Sequence, residues 1–390
     1  MTGSVPHSRR IMENSRRIIT ITHEFHPQRG GIATYVQECA RAAHTLGLDI
    51  AVWAPRSPVL DSERFPYPIR QLPLTGTQNW SCRLRLARFL QNNRREWHDA
   101  ILHLPEPGPI RTWLYFQYAA WARPHALVLT LHGSEIERFS ALPHRRHLFR
   151  QLLRRADRIG IVSNYSRDLL LQRYPEIEDK AVLTPGALRE DLLPAMEYIP
   201  RKARPDGRVV VLTVGRIHPR KGQLAVLEAI ALLAPELRRK VLYRVIGPVN
   251  KTHYLRTLRQ FATLHGIALQ YDGVLSERDL DQAYAEADLF ALASSPHPRS
   301  VEGFGLVYLE ASAHGLPILA HRVGGVPDAV RHGETGLKAA PDDRPALAAA
   351  LHELLDDPAL RERLGRNGID WVRRFHWRDT AQTLFAPWLP

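Results

Sequence analysis

Residues 209–223 read VVVLTVGRIHPRKGQ, a β-branched apolar run followed by a basic turn and the beginning of a helical pattern. The run predicts a buried strand, and Lys221-Gly222 predicts the start of the next helix. Arg216 and Lys221 then lie on either side of the turn at the carboxyl end of that strand. Because open α/β sheets bind ligands at this edge, two cations here suit a diphosphate. Solvated charges on a surface loop are the alternative.

Six further short apolar runs alternate with amphipathic helical stretches along the chain. They are IITIT at 18–22, IAVW at 50–53, LVLTL at 127–131, IGIVS at 159–163, YRVIG at 243–247 and LFALA at 289–293. Alternation of strands with helices predicts βαβ units and parallel sheets. A polar, proline-containing segment at 196–208 separates two such series. We therefore predict an α/β protein with Rossmann-like domains at 1–195 and 209–370, a linker between them, and an amphipathic helix at 371–390.

The composition is that of a globular and strongly basic protein. The 390 residues are 44% hydrophobic and 24% charged, which is enough apolar material for large cores. The net charge of +13 favours an anionic partner such as nucleic acid, an acidic membrane surface or a phosphorylated substrate. The sequence has no RNP-like aromatic set, zinc-finger spacing or long basic run, which argues against nucleic acid.

Cysteine usage and the N-terminal segment bear on the compartment. Cys39 and Cys82 are far apart in sequence and form no C-x-x-C motif, which favours a reducing compartment over a disulfide framework or a zinc site. Residues 1–17 contain no apolar signal region, and no run approaches the roughly 18 apolar residues that a spanning helix needs. We therefore expect a cytoplasmic protein that does not cross a membrane.

A glycine pair follows the first predicted strand. Gly30 and Gly31 lie where that strand gives way to a helix, in HEFHPQRGGIATYV at 23–36. Without side chains there, backbone N–H groups could approach an anion at the helix N-terminus. The pair fits neither G-x-G-x-x-G nor the P-loop pattern, so dinucleotide-binding and P-loop proteins lose support. A plain turn explains it equally well.

Two glutamates, Glu302 and Glu310, bracket a glycine-containing loop in VEGFGLVYLE. The residues 303–305 lead into a predicted helix at 306–314, whose free N–H groups and dipole would point at a ligand beside strand 289–293. A loop carboxylate can bind hexose hydroxyls, and a carboxylate in the helix can bind the two hydroxyls of ribose. A catalytic carboxylate pair, or two unrelated acids, are the alternatives.

The second half of the chain resembles the retaining nucleotide-sugar transferases of glycosyltransferase family 4. Their E-x(7)-E element is present as Glu302-GFGLVYL-Glu310, together with VGRIHPRKGQ at 214–223 and HGETGLKAA at 332–340. The first half contributes the Gly30-Gly31 loop, HGSE at 132–135 and IVSNYSRDLL at 161–170. These pieces cover most of the chain in the family's order. The family's usual Asn-Gly at the end of the first half is Pro185-Gly186 here.

The resemblance implies a role for each matching residue. Arg216 and Lys221 would bind the donor diphosphate, and Glu310 would bind the ribose. Glu302 would hold sugar hydroxyls, Gly31 would approach the phosphate from the opposite domain, and His132 would lie by the transferring sugar. The implied catalytic residues are His132, Arg216, Lys221 and Glu302. The implied donor-binding residues are Gly30, Gly31, Arg216, Lys221, Glu302, Gly303, Phe304, Gly305, Leu306 and Glu310.

The same resemblance implies the fold and the reaction. The two Rossmann-like domains would face a cleft in the GT-B arrangement, with the C-terminal helix crossing back to the first domain. The reaction would be retaining transfer of a sugar from a UDP- or GDP-sugar to a hydroxyl of a sugar, glycan or lipid-linked acceptor, without cofactor or metal. A nucleotide-sugar epimerase and a sucrose-phosphate-type synthase are rivals with this fold, and a basic nucleic-acid-binding protein is the rival from another class.

Two apparent metal motifs have simpler explanations. Asp279 and Asp281 form a D-x-D, but they lie in a predicted helix that begins near Ser276, where acids in the first turn are favoured by the helix dipole. His144 and His147 have no third ligand nearby in sequence. Neither motif predicts a metal site.

A basic amphipathic segment at 137–158 bears on the acceptor. Arg146, Arg150 and Arg154 recur every four residues on one helical face, with Phe149 and Leu152 on another. The pattern predicts either an ordinary surface helix or peripheral contact with an anionic membrane, where each basic residue adds about 1 kcal/mol.

Overall fold

The computed structural model describes residues 16–28, 30–74, 79–190, 196–201, 204–249, 251–297 and 300–390. Two compact units are present: Met1–Gly186 together with His376–Pro390, and Ala187–Phe375. They are called the first and second domains below. The prediction about a signal region lies largely outside the described residues, which begin at Arg16.

The predicted linker at 196–208 begins with residues that pack onto the second domain, and its positions 202–203 lie outside the described residues. Met196 is buried, and the guanidinium of Arg366 lies 4.4 Å from the ring centre of Tyr198. The change from one domain to the other therefore falls at Gly186–Ala187, ahead of the predicted segment.

The first domain is built on a parallel sheet in the order β3-β2-β1-β4-β5-β6-β7. Its strands are β1 (Ile18–Ile21), β2 (Ile50–Pro55), β3 (Ile69–Leu72), β4 (Ile101–Leu104), β5 (Ala126–Leu131), β6 (Arg158–Ile161) and β7 (Ala181–Leu183). The connecting helices are α1 (Gly31–Thr45), α2 (Trp80–Asn92), α3 (Pro107–Phe116), α4 (Ser134–Ser140), α5 (Pro143–Arg155) and α6 (Asn164–Arg173). Helices cover the sheet, so its central strands read as unbroken apolar runs.

The second domain repeats this plan with the order β10-β9-β8-β11-β12-β13, again parallel. Its strands are β8 (Val209–Val214), β9 (Val241–Ile246), β10 (Ala268–Gly273), β11 (Leu289–Leu292), β12 (Ile318–His321) and β13 (Gly336–Ala339). Its helices are α7 (Gln223–Ala231), α8 (Pro235–Lys240), α9 (Thr252–Leu264), α10 (Glu277–Glu286), α11 (Leu306–Ala313), α12 (Val326–Ala329), α13 (Arg344–Asp356) and α14 (Pro358–Val372).

Each sheet has one place where the strand order reverses. In the first sheet it lies between β1 and β4, and in the second between β8 and β11. In open α/β sheets a ligand crevice forms outside the carboxyl ends of the strands at this switch point, because the flanking connections leave in opposite directions. The topology therefore directs attention to the loops after β1, β4, β8 and β11.

The last helix returns to the first domain, which confirms the expected crossing. It is α15 (Trp377–Phe385), and its buried face includes Trp377, Leu384 and Phe385. The ring of Trp377 meets Tyr35 of α1 edge-on at 5.3 Å. Prediction of one helix over 371–390 was wrong at its start, because α14 continues to Val372 and a break precedes α15.

Candidate active site

The loop after β8 is fixed by a glycine that the fold requires. His218 accepts the backbone N–H of Arg220 and caps a 3₁₀ turn, Pro219–Lys221. Gly222 follows with φ of 71°, and a Cβ there would collide with the carbonyl oxygen of Ala293. Lys221 is thereby held beside the residues that follow β11.

Glu302 lies at the centre of an ion cluster formed by these two loops. The Lys221 Nζ donates to both of its carboxylate oxygens at 3.0 and 2.8 Å, and Arg220 donates to Oε2 at 2.9 Å. The hydroxyl of Ser294 donates to Oε2 at 3.1 Å. The exposed fractions of the Glu302, Arg220 and Lys221 side chains are 9%, 10% and 13%.

The electrostatics of this cluster keep the carboxylate ionised. Burial raises the pKa of Glu302, but the charges of Lys221 and Arg220 outweigh that effect and lower it to about 2. Burial lowers the pKa of Lys221, while the carboxylate opposes the change. Two cations against one carboxylate leave an excess positive charge at the edge of the sheet, which suits an anionic ligand.

The sequence did not single out Arg220, although it adjoins Lys221 in HPRKG. In the structure Arg220, and not Arg216, is the second cation on Glu302, whereas Arg216 is exposed one turn earlier in the loop. The only available signal was adjacency to a predicted site residue. The path of the backbone through the turn decides whether Arg216 or Arg220 points toward Glu302. The composition of the loop does not reveal which.

The segment from Glu302 to α11 has little conformational freedom. The Gly325 N–H donates to the carbonyl oxygen of Glu302 at 2.8 Å, which fixes the backbone of that residue. Gly305 has φ of 90°, and a Cβ there would lie 2.5 Å from the Tyr308 ring. Phe304 is buried against Phe375. Residues 303–306 thus form a rigid approach to the N-terminus of α11.

Glu310 lies one turn inside α11 and contacts α10. The hydroxyl of Tyr284 donates to it at 3.0 Å, and His314 stacks on Tyr284 with ring centres 4.9 Å apart. Burial raises the pKa of Glu310, which Tyr284, Arg189 and His314 partly counteract. The carboxyl group is therefore preorganised by neighbours before any ligand arrives.

The D-x-D acids lie at the start of α10, as the helical interpretation predicts. The Ser276 hydroxyl accepts the N–H of Asp279 at 3.1 Å and so caps the helix. Asp281 contacts His314 at 2.8 Å. Among the described residues, no group of three or more His, Cys, Asp or Glu could hold a metal ion.

In the first domain, His132 follows β5 at the carboxyl edge of the sheet. Its Nε2 donates to the carbonyl oxygen of Pro105 at 2.8 Å, and Tyr35 meets its ring edge-on at 5.2 Å. Its backbone N–H donates to the buried carboxylate of Glu135. The ring is therefore oriented by the loop after β4, where the sheet order reverses.

Glu106, which the sequence did not indicate, ties that loop to the one after β1. Its carboxyl group is fully buried and accepts the backbone N–H groups of His23, at 2.9 Å, and of Gly108. Burial raises the pKa of Glu106 to about 8, against the effect of those donors. The PEPG sequence after β4 has neither the hydrophobic periodicity nor the motif spacing that would indicate a buried acid.

Gly30 and Gly31 begin α1 and are both exposed. Gly30 has extended backbone at φ of 161°, and a Cβ on either residue would meet no atom within 4 Å. Nothing described in the protein itself therefore requires glycine at these positions. The space beside the helix N-terminus is open to a ligand.

The basic face of α5 is partly engaged within its own domain. Arg150 and Arg154 contact the carboxylate of Glu176 at 3.0 and 3.5 Å. Arg146 donates to the carbonyl oxygen of Ser140 at 3.3 Å. Membrane contact through this face stays a prediction. No helix in the described part of the chain is long and apolar enough to cross a bilayer.

Two family profiles divide the chain between them. Residues 29–188 match the profile described as Glycosyltransferase Family 4, and residues 196–371 match the one described as Glycosyl transferases group 1. The chain is a glycosyltransferase with the GT-B fold. The two matches meet near the change of domain, so each Rossmann-like unit has its counterpart among known glycosyltransferases.

Curated relatives and solved structures agree with this assignment. A GDP-mannose-dependent alpha-(1-6)-phosphatidylinositol monomannoside mannosyltransferase of Mycolicibacterium smegmatis is 29% identical over 387 residues, which is 94% of this chain and 97% of the relative. A D-inositol 3-phosphate glycosyltransferase of Corynebacterium glutamicum is 33% identical over 250 residues, which is 62% of this chain and 59% of the relative.

Among solved structures, a sucrose-phosphate synthase from Thermosynechococcus elongatus superposes on the glycosyltransferase with a TM-score of 0.77 at 21% identity, covering 96% of this chain and 98% of the other. HepE of Anabaena, in complex with UDP and glucose, gives 0.74 at 19% identity, with 95% and 99% covered. At these identities the likeness establishes the fold alone.

Proposed function

We propose that this glycosyltransferase is a retaining enzyme that moves a sugar from a nucleoside diphosphate sugar to an acceptor hydroxyl, without a metal. One observation carries the proposal: the carboxylate of Glu302 is held by Lys221 and Arg220 directly before the N-terminus of α11. Carboxylate oxygens that can accept hydrogen bonds from sugar hydroxyls therefore lie near two cations and the N–H groups of a helix start. All of them belong to one switch point of the second sheet.

Lys221 and Arg216 neutralise the donor diphosphate in this proposal. The Lys221 ammonium now bonds to Glu302, so donor binding draws it toward phosphate while Arg220 keeps the carboxylate in place. The N–H groups at the start of α11 complete the anion site, because their partial positive charge stabilises negative charge that develops on the leaving group. These groups together replace a divalent cation.

Glu302 and Glu310 bind opposite ends of the donor. Glu302 accepts hydroxyls of the sugar, with the backbone of Phe304 and Gly305 beside it. Glu310 accepts the two ribose hydroxyls, for which Tyr284 orients it. Gly303 and Leu306 contribute backbone at the same site, and Gly30 and Gly31 are also assigned to binding of the donor.

The transfer step needs no carboxylate nucleophile. The bond from the anomeric carbon to the phosphate oxygen breaks, the acceptor oxygen bonds on the same face, and the acceptor's proton passes to the leaving diphosphate. His132, whose ring is oriented by the carbonyl oxygen of Pro105, is assigned to bind the transferring sugar. Negative charge develops on the leaving diphosphate as the bond breaks. The cations that bind this diphosphate therefore govern the rate.

The donor is a UDP- or GDP-sugar, and GDP-mannose is the first to test, because relatives that match over 97% and 98% of their own length are named as GDP-mannose-dependent. The acceptor is a sugar, a glycan or a lipid-linked molecule, met in the cytoplasm or at its membrane face. An epimerase of the same fold is the alternative, since the donor site would serve it equally; it would consume the nucleotide sugar without any acceptor.

Thermal unfolding with UDP, GDP and ADP tests the donor site directly. A ligand at one hundred times its Kd stabilises the native state by about 2.7 kcal/mol, so the matching nucleotide raises the melting temperature. The matching nucleotide sugar should raise it further and should be consumed when an acceptor is present. Absence of stabilisation by all three nucleotides and their sugars would refute the proposal.

A further inference from the structure

Arg201 joins two helices of the second domain that carry the proposed ribose site. Its Nη1 donates to the backbone carbonyl oxygen of Ala285 near the end of α10, and its Nη2 donates to that of His314 directly after α11. One guanidinium group therefore bridges the C-terminal ends of both helices. The arginine lies in the segment 196–208 that was predicted to be a linker, and no sequence pattern singles it out.

The two bridged carbonyl groups adjoin the residues that form the ribose site. Ala285 directly follows Tyr284, and His314 lies one helical turn after Glu310. The hydroxyl of Tyr284 on α10 donates to the carboxylate of Glu310 on α11 at 3.0 Å. Arg201 therefore fixes the backbone on both sides of this hydrogen bond.

The side chain of His314 adds a second connection between the same helices. Its ring stacks on that of Tyr284, its Nδ1 lies 2.8 Å from the carbonyl oxygen of Glu310, and its Nε2 lies 2.8 Å from Oδ1 of Asp281 on α10. The surroundings of Glu310 therefore depend on the spacing of α10 and α11. A change in this spacing alters the distance from the Tyr284 hydroxyl to the carboxylate.

The segment that carries Arg201 is itself fixed to the second domain. Arg373 donates to the carbonyl oxygen of Met196 at 2.8 Å, and the guanidinium of Arg366 lies over the ring of Tyr198. Arg201 therefore reaches the two helix ends from an anchored backbone. This anchoring limits the positions that its guanidinium group can adopt.

Capping of helix ends explains part of this arrangement. The last carbonyl groups of a helix have no partner inside it and carry a partial negative charge, so an arginine is favourable there. Arg204 caps α10 in this way, through the carbonyl oxygen of Glu286. Arg201 differs because its two Nη groups bond to two helices, and a planar guanidinium fork holds both acceptors at one separation. A lysine could not do this, since its ammonium is a single charge on a flexible stem.

We infer that Arg201 is a positioning residue for ribose recognition. By bridging α10 and α11 it sets the place of the Glu310 carboxylate, and so the preference of the donor site for ribose over deoxyribose. The inference rests on the proposed function, in which Glu310 accepts the two ribose hydroxyls. Arg201 acts through the two helices and does not itself contact the donor.

Calorimetric titration of GDP, UDP and their 2′-deoxy forms into the full chain measures this preference without turnover. The unaltered protein should bind the ribose form of its nucleotide at least about tenfold more tightly, because a lost charge-assisted hydrogen bond costs that much. Arg201→Lys keeps the net charge but cannot bridge the helices, so the preference should fall at least about threefold. Pyrophosphate, which has no ribose, should bind both proteins equally.

Matched variants separate this role from a general effect on stability or charge. Arg208 is an exposed arginine of the same segment, so Arg208→Lys should keep the preference. Tyr284→Phe removes the hydroxyl that donates to Glu310 and should lower the preference. Combined with Arg201→Lys it should lower the preference by less than the sum of the two effects, because both act on one carboxylate.

Circular dichroism checks folding. If Arg201→Lys is unfolded, Arg201→Gln, which can donate to one carbonyl group but cannot bridge both, repeats the test against Arg208→Gln. An unchanged preference in a folded Arg201 variant, or an equal fall in the Arg208 control, overturns the inference. Equal binding of ribose and deoxyribose forms by the unaltered protein, or binding of neither, would instead overturn the proposed function on which the inference rests.

Discussion

At the scale of single residues, Lys221 has the most direct consequence for turnover. Lys221→Ala should lower kcat at least a hundredfold, because removing one preorganised donor from a developing anion costs roughly 2.7–4 kcal/mol. Lys240→Ala, on an exposed position at the end of α8, is the control and should keep normal activity. Steady-state assays with circular dichroism check the expectation. Near-normal turnover in a folded Lys221→Ala protein would remove Lys221 from the mechanism.

The two glutamates should separate by ligand. Glu310→Ala should weaken binding of both the bare nucleotide and the intact donor, because it is assigned to ribose. Glu302→Ala should weaken the donor and spare the nucleotide, since it is assigned to the sugar and its loss frees Lys221 for phosphate. Calorimetry with the nucleotide and its sugar measures both effects. Equal loss of nucleotide affinity in both variants would contradict the division.

Glu302 also makes stability depend on pH in a specific window. Its folded pKa of about 2 lies below the value near 4.5 of an unpaired glutamate, so its contribution is present above pH 4.5 and is lost as the pH falls toward 2. Glu302→Gln should therefore lower the free energy of unfolding most above pH 5. This loss should shrink by about 3 kcal/mol as the pH falls toward 2. Urea unfolding of both proteins at several pH values measures this. A pH-independent difference would mean that the ion cluster does not govern the pKa.

Residue-scale prediction from sequence depended on positions in a strand-loop-helix pattern, and the roles it assigned stay predictions; it did not reach residues whose burial is decisive. Lys221, Glu302 and Glu310 were indicated by their places around β8 and α11, and the structure brings the first two together. Arg220 and Glu106 were missed, because a basic neighbour and a loop acid have the same appearance whether they point inward or outward. Which way they point depends on contacts between strands distant in sequence, such as that of Glu106 with His23.

At the scale of elements, two left-handed glycines make a matched comparison. Gly222 has φ of 71° and no room for a Cβ beside Ala293, whereas Gly266 has φ of 63° with nothing within 4 Å. Gly266→Ala should cost only the conformational strain, about 1–2 kcal/mol. Gly222→Ala should cost several kcal/mol, roughly 3 or more, because the turn must also shift away from β11. Thermal unfolding compares them, and equal costs would show that the turn relaxes freely.

The predicted elements were most accurate where strands are long and central. The run at 209–214 coincides with β8 (Val209–Val214), because five apolar residues and one threonine, buried along the middle of the strand, leave a clear signal. Short strands such as β4, β12 and β13 were not predicted. They are four residues each and contain histidine, glycine or lysine, so only pairing with neighbours distinguishes them from loops.

At the scale of the whole molecule, the return of α15 should be essential to the first domain. Deletion of residues 376–390 removes the buried side chains of Trp377, Leu384 and Phe385, each worth roughly 1.5–3 kcal/mol of burial. Calorimetry should show a strongly destabilised first domain, while nucleotides still stabilise the second. Deletion of the exposed Pro390 alone should change nothing. If the unfolding transition of the first domain is unaltered after deletion of residues 376–390, α15 is dispensable.

The strand order within each sheet could not be predicted from the sequence. Alternation of strands and helices predicts parallel pairing, but it does not say which strands are neighbours. The resemblance to known transferases supplied the two-domain plan and the returning helix. Exact domain limits depend on side-chain contacts, such as Arg366 over Tyr198, which hold residues near 196–201 on the second domain. No local composition signal distinguishes such a segment from a free linker.

The return of the chain to its first domain has a consequence for biosynthesis. The first domain is interrupted by Ala187–Phe375 and completed only by His376–Pro390, so its nascent portion leaves the ribosome without α15. At 5–20 residues per second, synthesis of the intervening domain takes roughly 10–40 s. During that interval the surface that α15 later covers on α1 is exposed to chaperones. The second domain, although later in sequence, can therefore finish folding before the first.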